Sequence, residues 1–345
     1  MTPLRIAAIR SAAGYLMNSL SRLLVRLAAG AAFAVAITPW LRAEPPPAPT
    51  SLAFLRTTDL ADETRGLQTV STEYRPANGS GPSVWLVGVA HLGTAEYFHA
   101  IQERLDRQTV VLYEGIGLRD VKKGPGVATD RAGIQTALAT ALGLKFQLDA
   151  IDYRRPTFIN SDLQAPELER EVRERTTAAK REDRDETFNQ LMDALQGSGA
   201  TGGALSQVAG VLGSSAQTRE ITKLMLIEVL GRAGEFLELA RNYSPEMKDL
   251  FDIVLTERNT VVLRDLRAQL ARLKPGQSIA VFYGAAHMDE IAQRLRNELR
   301  YVPAKQEWDT AFTAKTAESG IKPAQIRMML DLLRTQLQPA APAPR

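Results

Sequence analysis

The chain has 345 residues and a mass of 37.8 kDa, with 45% hydrophobic and 23% charged side chains, a balance that excludes an intrinsically disordered chain and supplies a large core. It has no cysteine, so disulfides, thiolate metal sites and cysteine nucleophiles are excluded, and any metal must be held by His, Asp or Glu. The sequence pI of about 9.1 misleads. Five of the 42 basic side chains and none of the 39 acidic ones fall in residues 1–43; the slightly acidic remainder argues against a nucleic-acid partner.

Residues 1–43 read as a secretory signal: Arg22 and Arg26, then the apolar stretch Leu27–Leu41, then Arg42-Ala43 before Glu44. Cleavage is predicted after Ala43, with Met1 or Met17 as the start, which sends the chain to the periplasm or outside the cell. Membrane contact is expected only through this segment if it stays uncleaved, because the run is shorter than the ~20 residues a spanning helix needs. Residues 44–50 form a proline-rich linker, 51–338 a single α/β domain, and 339–345 a disordered tail.

Within that domain, apolar runs bounded by turn residues predict buried strands at Ser83–Gly88, Thr109–Glu114, Phe146–Asp152 and Ser278–Tyr283. Helical spacing of Tyr97, Ile101 and Leu105 predicts a helix over Thr94–Arg107, giving a strand–helix–strand unit of a parallel sheet. A helical insertion is expected over about 163–273, with Pro166–Leu195, Glu220–Asn242 and Pro245–Leu273 as helices and Gln196–Gln217 as a flexible connection. The alternating charges of Glu167–Glu186 read as a solvated face. Strand Ser278–Tyr283 is followed by a helix from about Asp289 to Leu299, so two strand–loop–helix repeats frame the chain. The expected architecture is an α/β/α sandwich with a mainly parallel central sheet.

Two of the three histidines fall at matching places. Gly88-Val-Ala-His91 and Gly284-Ala-Ala-His287 each follow a buried strand and precede a helix, where the carboxyl ends of parallel strands open a crevice. Two imidazoles so placed can converge on one metal or one scissile bond. His99 lacks this setting and reads as a surface or structural residue. Glu114 ends the second strand at the same sheet edge, and a carboxylate after an apolar run needs a charged or metal partner. Asp149, Asp152 and the Asn160-Ser161-Asp162 stretch are weaker candidates, since Asp and Asn also start turns and cap helices. Arg258, beside Asn259, either donates to a carbonyl or carboxylate in the cleft or makes a surface ion pair.

The set Gly88-x-x-His91, Glu114, Glu257-Arg258-Asn259 and Gly284-x-x-His287 resembles the TraB/PrgY/TIKI/GumN superfamily, and more distantly the erythromycin esterases and the haem-binding ChaN proteins. The resemblance runs from Ser83 to a final strand region near Tyr301–Phe312. It implies an α/β/α core and a metal-dependent hydrolase, in which His91 and His287 are metal ligands, Glu114 is a ligand or general base, and Arg258 and Asn259 orient the substrate carbonyl. The expected cofactor is a divalent ion, Zn, Mn or Co, and the expected partner a peptide or small-molecule substrate. The erythromycin esterases imply a route without metal, with His as base on water. The alternative from another class is a non-catalytic periplasmic protein that binds haem or a peptide through His91 or His287 and Tyr113.

Overall fold

The computed structural model describes residues 54–115, 134–175, 214–241, 248 and 251–337. The segments read as signal, linker and tail lie outside these residues, as does most of Gln196–Gln217. No described helix is long and apolar enough to cross a membrane.

The chain opens with strands β1 (Leu55–Leu60) and β2 (Thr64–Pro76), then β3 (Ser83–Val89) and the short β4 (Leu92–Gly93). Helix α1 (Ala95–Asp106) is started by Thr94, whose hydroxyl accepts from the Tyr97 N–H, and leads to β5 (Val110–Tyr113). Next come α2 (Ile134–Leu142), β6 (Lys145–Phe146), the one-turn α3 (Gln147–Ala150), β7 (Phe158–Asn160) and α4 (Ala165–Arg175). Helices α5 (Ala216–Gly231) and α6 (Ala233–Arg241) follow. A π-helical turn at Asp252–Glu257 then runs into α7 (Arg258–Leu270). The chain finishes with β8 (Ser278–Gly284), a 3-10 turn (Ala285–His287), α8 (Met288–Leu299), β9 (Tyr301–Lys315), α9 (Thr316–Ser319) and α10 (Pro323–Leu337).

The fold is α/β. Its central seven-stranded sheet has the order β1-β2-β3-β8-β5-β7, with β9 along the other edge of β2. Strands β3, β8, β5 and β7 run parallel, and β1, β2 and β9 extend the sheet antiparallel. Strand alternation divides the core in two. Ala280 and Phe282 face Tyr97, Phe98, Ile101 and Leu105 of α1, while Ile279, Val281 and Tyr283 face Val262, Leu263 and Leu266 of α7 and Ile291 and Leu295 of α8. Both faces of the parallel strands are therefore covered, which is why their sequences read as unbroken apolar runs.

One predicted strand is corrected. Phe146–Asp152 contributes only Lys145–Phe146 as strand, in a separate two-stranded sheet with β4, and then turns into α3. Its apolar Leu148, within that turn, and Ile151, the extended residue that ends it, both pack against the core. The third parallel position beside β5 belongs instead to β7, Phe158–Asn160.

Candidate functional site

The parallel pairing puts the strand ends in line. Gly88 lies opposite Tyr283 and Val89 opposite Gly284, and β8 separates β3 from β5, so His91, Glu114 and His287 leave three adjacent strands at their carboxyl ends. Asp162 follows β7 at the same edge.

Glu114 sits at the centre. Its Oε2 accepts from the Gly284 N–H at 2.7 Å, and its Oε1 accepts from Arg258 Nη2 at 2.6 Å and lies 3.8 Å from His287 Nε2. Glycine at 284 makes room for this approach: a Cβ there would stand 3.2 Å from both Glu114 Oε2 and His91 Nε2, so one of them would have to give by a few tenths of an ångström. Burial alone would raise the Glu114 pKa. The Arg258 guanidinium and the Gly284 N–H override it and hold the carboxyl well below the usual carboxylate range, so Glu114 is ionised.

Arg258 is the first residue of α7, delivered by the π-turn, and is 3% exposed. Its Nε and Nη2 grip Asp162 Oδ1 and Oδ2 at 2.9 and 2.8 Å, and Nη2 also reaches Glu114. Nη1 donates to the Val254 carbonyl at 3.3 Å and faces His287 Nε2 at 3.4 Å. Every N–H of the fork thus has a partner within the protein: Arg258 ties the floor of the site together, and the expected contact with a substrate carbonyl would have to replace one of these bonds. Asp162 in turn accepts from the backbone N–H groups of Gly115 and Leu163, both at 2.8 Å.

Asn259 is also repositioned from substrate contact to support. Its Nδ2 donates to Glu290 Oε2 at 2.8 Å, and a carboxylate can only accept, so its Oδ1 is the end that meets His287 Nδ1 at 2.8 Å. His287 must therefore carry its proton on Nδ1 and present the Nε2 lone pair toward Arg258 and Glu114. Burial brings its pKa down to about 3, against the upward pull of Glu114 and with Arg258 adding to the fall, so it is neutral above that range. The ring stands edge-on to Tyr283, centroids 5.3 Å apart, and the Tyr283 hydroxyl donates to the Ser161 carbonyl.

His91 differs in being exposed. Its Nδ1 meets Gln147 Oε1 at 2.7 Å, its backbone carbonyl accepts from the Gln147 N–H at 2.9 Å, and its Nε2 lies against Gly284. No described residue hydrogen-bonds to that Nε2.

The other candidates fall elsewhere. His99 is a surface residue paired with Glu103 at 3.3 Å. Asp152 pairs with Arg154 at 2.8 Å, and Asp149 lies within α3. Tyr113, named for the haem-binding alternative, is 7% exposed and packs on Tyr153 with ring centroids 4.9 Å apart, as part of the core.

The donor set as arranged fits a divalent ion poorly. Both Glu114 oxygens are taken by N–H groups, His287 Nε2 faces a guanidinium, and a bound ion would stand beside that fixed positive charge. Among the described residues, no group of three or more His, Asp or Glu side chains is placed to hold a metal. The residues that complete the site beyond the predicted set are Asp162, Gln147, Glu290 and Tyr283. Asp162 carried a turn signal in the sequence; Gln147, Glu290 and Tyr283 carried none. Comparison of the chain with protein-family models, with curated proteins and with solved structures finds no match.

Proposed function

We propose that the chain is a hydrolase that cleaves a peptide or small ester by general-base activation of water, with His91 as the base, Glu114 as the charge that stabilises the imidazolium, and Arg258 as the resident cation in place of a metal. The observation that carries this reading is Glu114, a carboxylate kept ionised at the sheet edge between an exposed and a buried imidazole. An exposed imidazole with an unpartnered Nε2 can take a proton from water, and a fixed carboxylate in the same cleft offsets the positive charge that develops during that transfer. The paired Gly-x-x-His resemblance to the TraB/PrgY/TIKI/GumN superfamily supports the same reaction class, with the water activated here by side chains alone.

The test is a screen of chromogenic esters and a mixed peptide library with the wild type, His91→Ala and Glu114→Gln, each with and without a strong chelator. Turnover in the wild type that falls at least a hundredfold in both variants and is indifferent to chelator is the expected result. Turnover abolished by chelator and restored by Zn, Mn or Co would replace this mechanism with the metal-dependent one. Turnover that survives His91→Ala would remove His91 as the base.

A further inference from the structure

We propose that Gln147 is the positioning residue of His91, holding its imidazole in the Nδ1–H form so that the Nε2 lone pair stays free beside Gly284. The placement follows from sheet register. Leu92 pairs with Phe146 and Gly93 with Lys145 in the antiparallel β4–β6 ladder, so the next rung sets His91 opposite Gln147. The Gln147 N–H to His91 carbonyl bond at 2.9 Å continues that ladder, and the side-chain bond from His91 Nδ1 to Gln147 Oε1 at 2.7 Å is made beside it.

The amide is fixed at its far end as well. Gln147 Nε2 donates to the Tyr153 hydroxyl at 2.8 Å, and Gln147 is 2% exposed. Tyr153 is itself immobilised among Tyr113, Phe158 and Phe282, with ring centroids 4.9, 6.2 and 6.3 Å away. As placed, the amide nitrogen donates to the Tyr153 hydroxyl and the oxygen faces His91, an orientation in which His91 donates from Nδ1. His287 is held the same way by Asn259, whose orientation is set by Glu290. Each Gly-x-x-His imidazole is therefore backed by a carboxamide that has a second partner of its own, with the His287 Nε2 3.8 Å from Glu114 Oε1 and the His91 Nε2 beside Gly284. A carboxamide fixes the tautomer without placing a second negative charge behind the ring.

This assignment rests on the reading of His91 as the base, and its test needs no substrate, so the two can fail separately. The chain has three histidines, and selective 15N labelling of their rings with long-range proton–nitrogen correlation at about pH 8 reads each tautomer directly. His91 and His287 are expected in the Nδ1–H form, which free histidine disfavours, and exposed His99 outside it. Gln147→Glu, which can only accept, keeps His91 in that form. Gln147→Leu moves His91 to the Nε2–H signature while the His287 signature persists and reports an intact fold. If Gln147→Leu fails to fold, the wild type and Gln147→Glu decide. Wild-type His91 in the Nε2–H form, meaning a reversed amide, overturns the proposal, as does a Gln147→Leu spectrum in which His91 is unchanged.

Discussion

Replacing Arg258 with Leu would leave two carboxylates facing each other in the floor of the site without a counter-charge. The Asp162 side chain is 0% exposed and that of Glu114 14%, so neither can recover solvation by a small movement. Breaking a buried pair in this way costs about 3–5 kcal/mol, and the higher end applies here because one guanidinium serves both acids. With an m-value of about 3 kcal/mol per molar, the urea midpoint should fall by more than about 1 M at pH 8. The deficit should shrink at pH 5. In the wild type the Glu114 carboxyl is held below its ordinary range, so acid removes stability as pH falls toward that lowered value; in the variant burial loses its main opponent, the folded pKa rises, and acid relieves the strain instead. Arg258→Lys keeps the charge but loses the two-pronged grip on Asp162, and should fall between the two. A loss under about 1 kcal/mol, or an equal loss at both pH values, would refute the idea that Arg258 neutralises this floor.

The neutral state of His287 gives a second expectation. Between the unfolded value of about 6.5 and the folded value of about 3, the unfolded chain binds a proton that the folded chain does not, so stability falls with acid by ~1.4 kcal/mol per pH unit. His287→Gln should therefore lose about 2 kcal/mol less than the wild type between pH 7.5 and pH 5, measured by urea midpoints; parallel pH curves would count against a neutral His287. Gly284→Ala would put a methyl group 3.2 Å from Glu114 Oε2 and His91 Nε2. A cost of about 1–3 kcal/mol and a displaced His91 ring signal are expected, and an unperturbed His91 spectrum would contradict the close approach. Chelator treatment followed by elemental analysis should leave the urea midpoint of the wild type unchanged, whereas a drop restored by a divalent ion would show that a metal supports the site.

The parallel half of the sheet was legible because burial on both faces writes itself as an apolar run, as in Ser83–Val89 and Ser278–Gly284. The glycine–histidine pairs were legible as a duplicated pattern at strand ends. Strand β2 was not: it buries Arg65, Thr69, Ser71, Thr72 and Glu73, and its polar side chains find partners on β1, α1, α5 and β9 that no local pattern reveals. Asp162 looked like a turn residue because its guanidinium partner lies far along the chain at Arg258. Arg258 and Asn259 were found as a pair, but adjacent helical positions point about 100° apart, and only the fold shows that one turns to the carboxylates and the other to His287. Gln147 carried no signal, since its importance comes from the rung that places it opposite His91.

The pairing of β3 with β8, and of β2 with β9, has a kinetic meaning. The first Gly-x-x-His is synthesised early, but the strand that carries the second enters the sheet between β3 and β5 only when the chain has passed residue 284. Until then β3 and β5 have no strand between them, and the C-terminal half of β2 lacks its β9 partner up to the arrival of residues 301–307. Closing so long a loop costs only about 0.6 kcal/mol more per doubling of length, yet it must be closed before the pairings repay it, which makes the central sheet a late and slow event in folding. A nascent chain that ends before β8 has His91 and Glu114 but neither His287 nor the Gly284 N–H that holds Glu114, so this cluster is assembled only when the molecule is nearly complete.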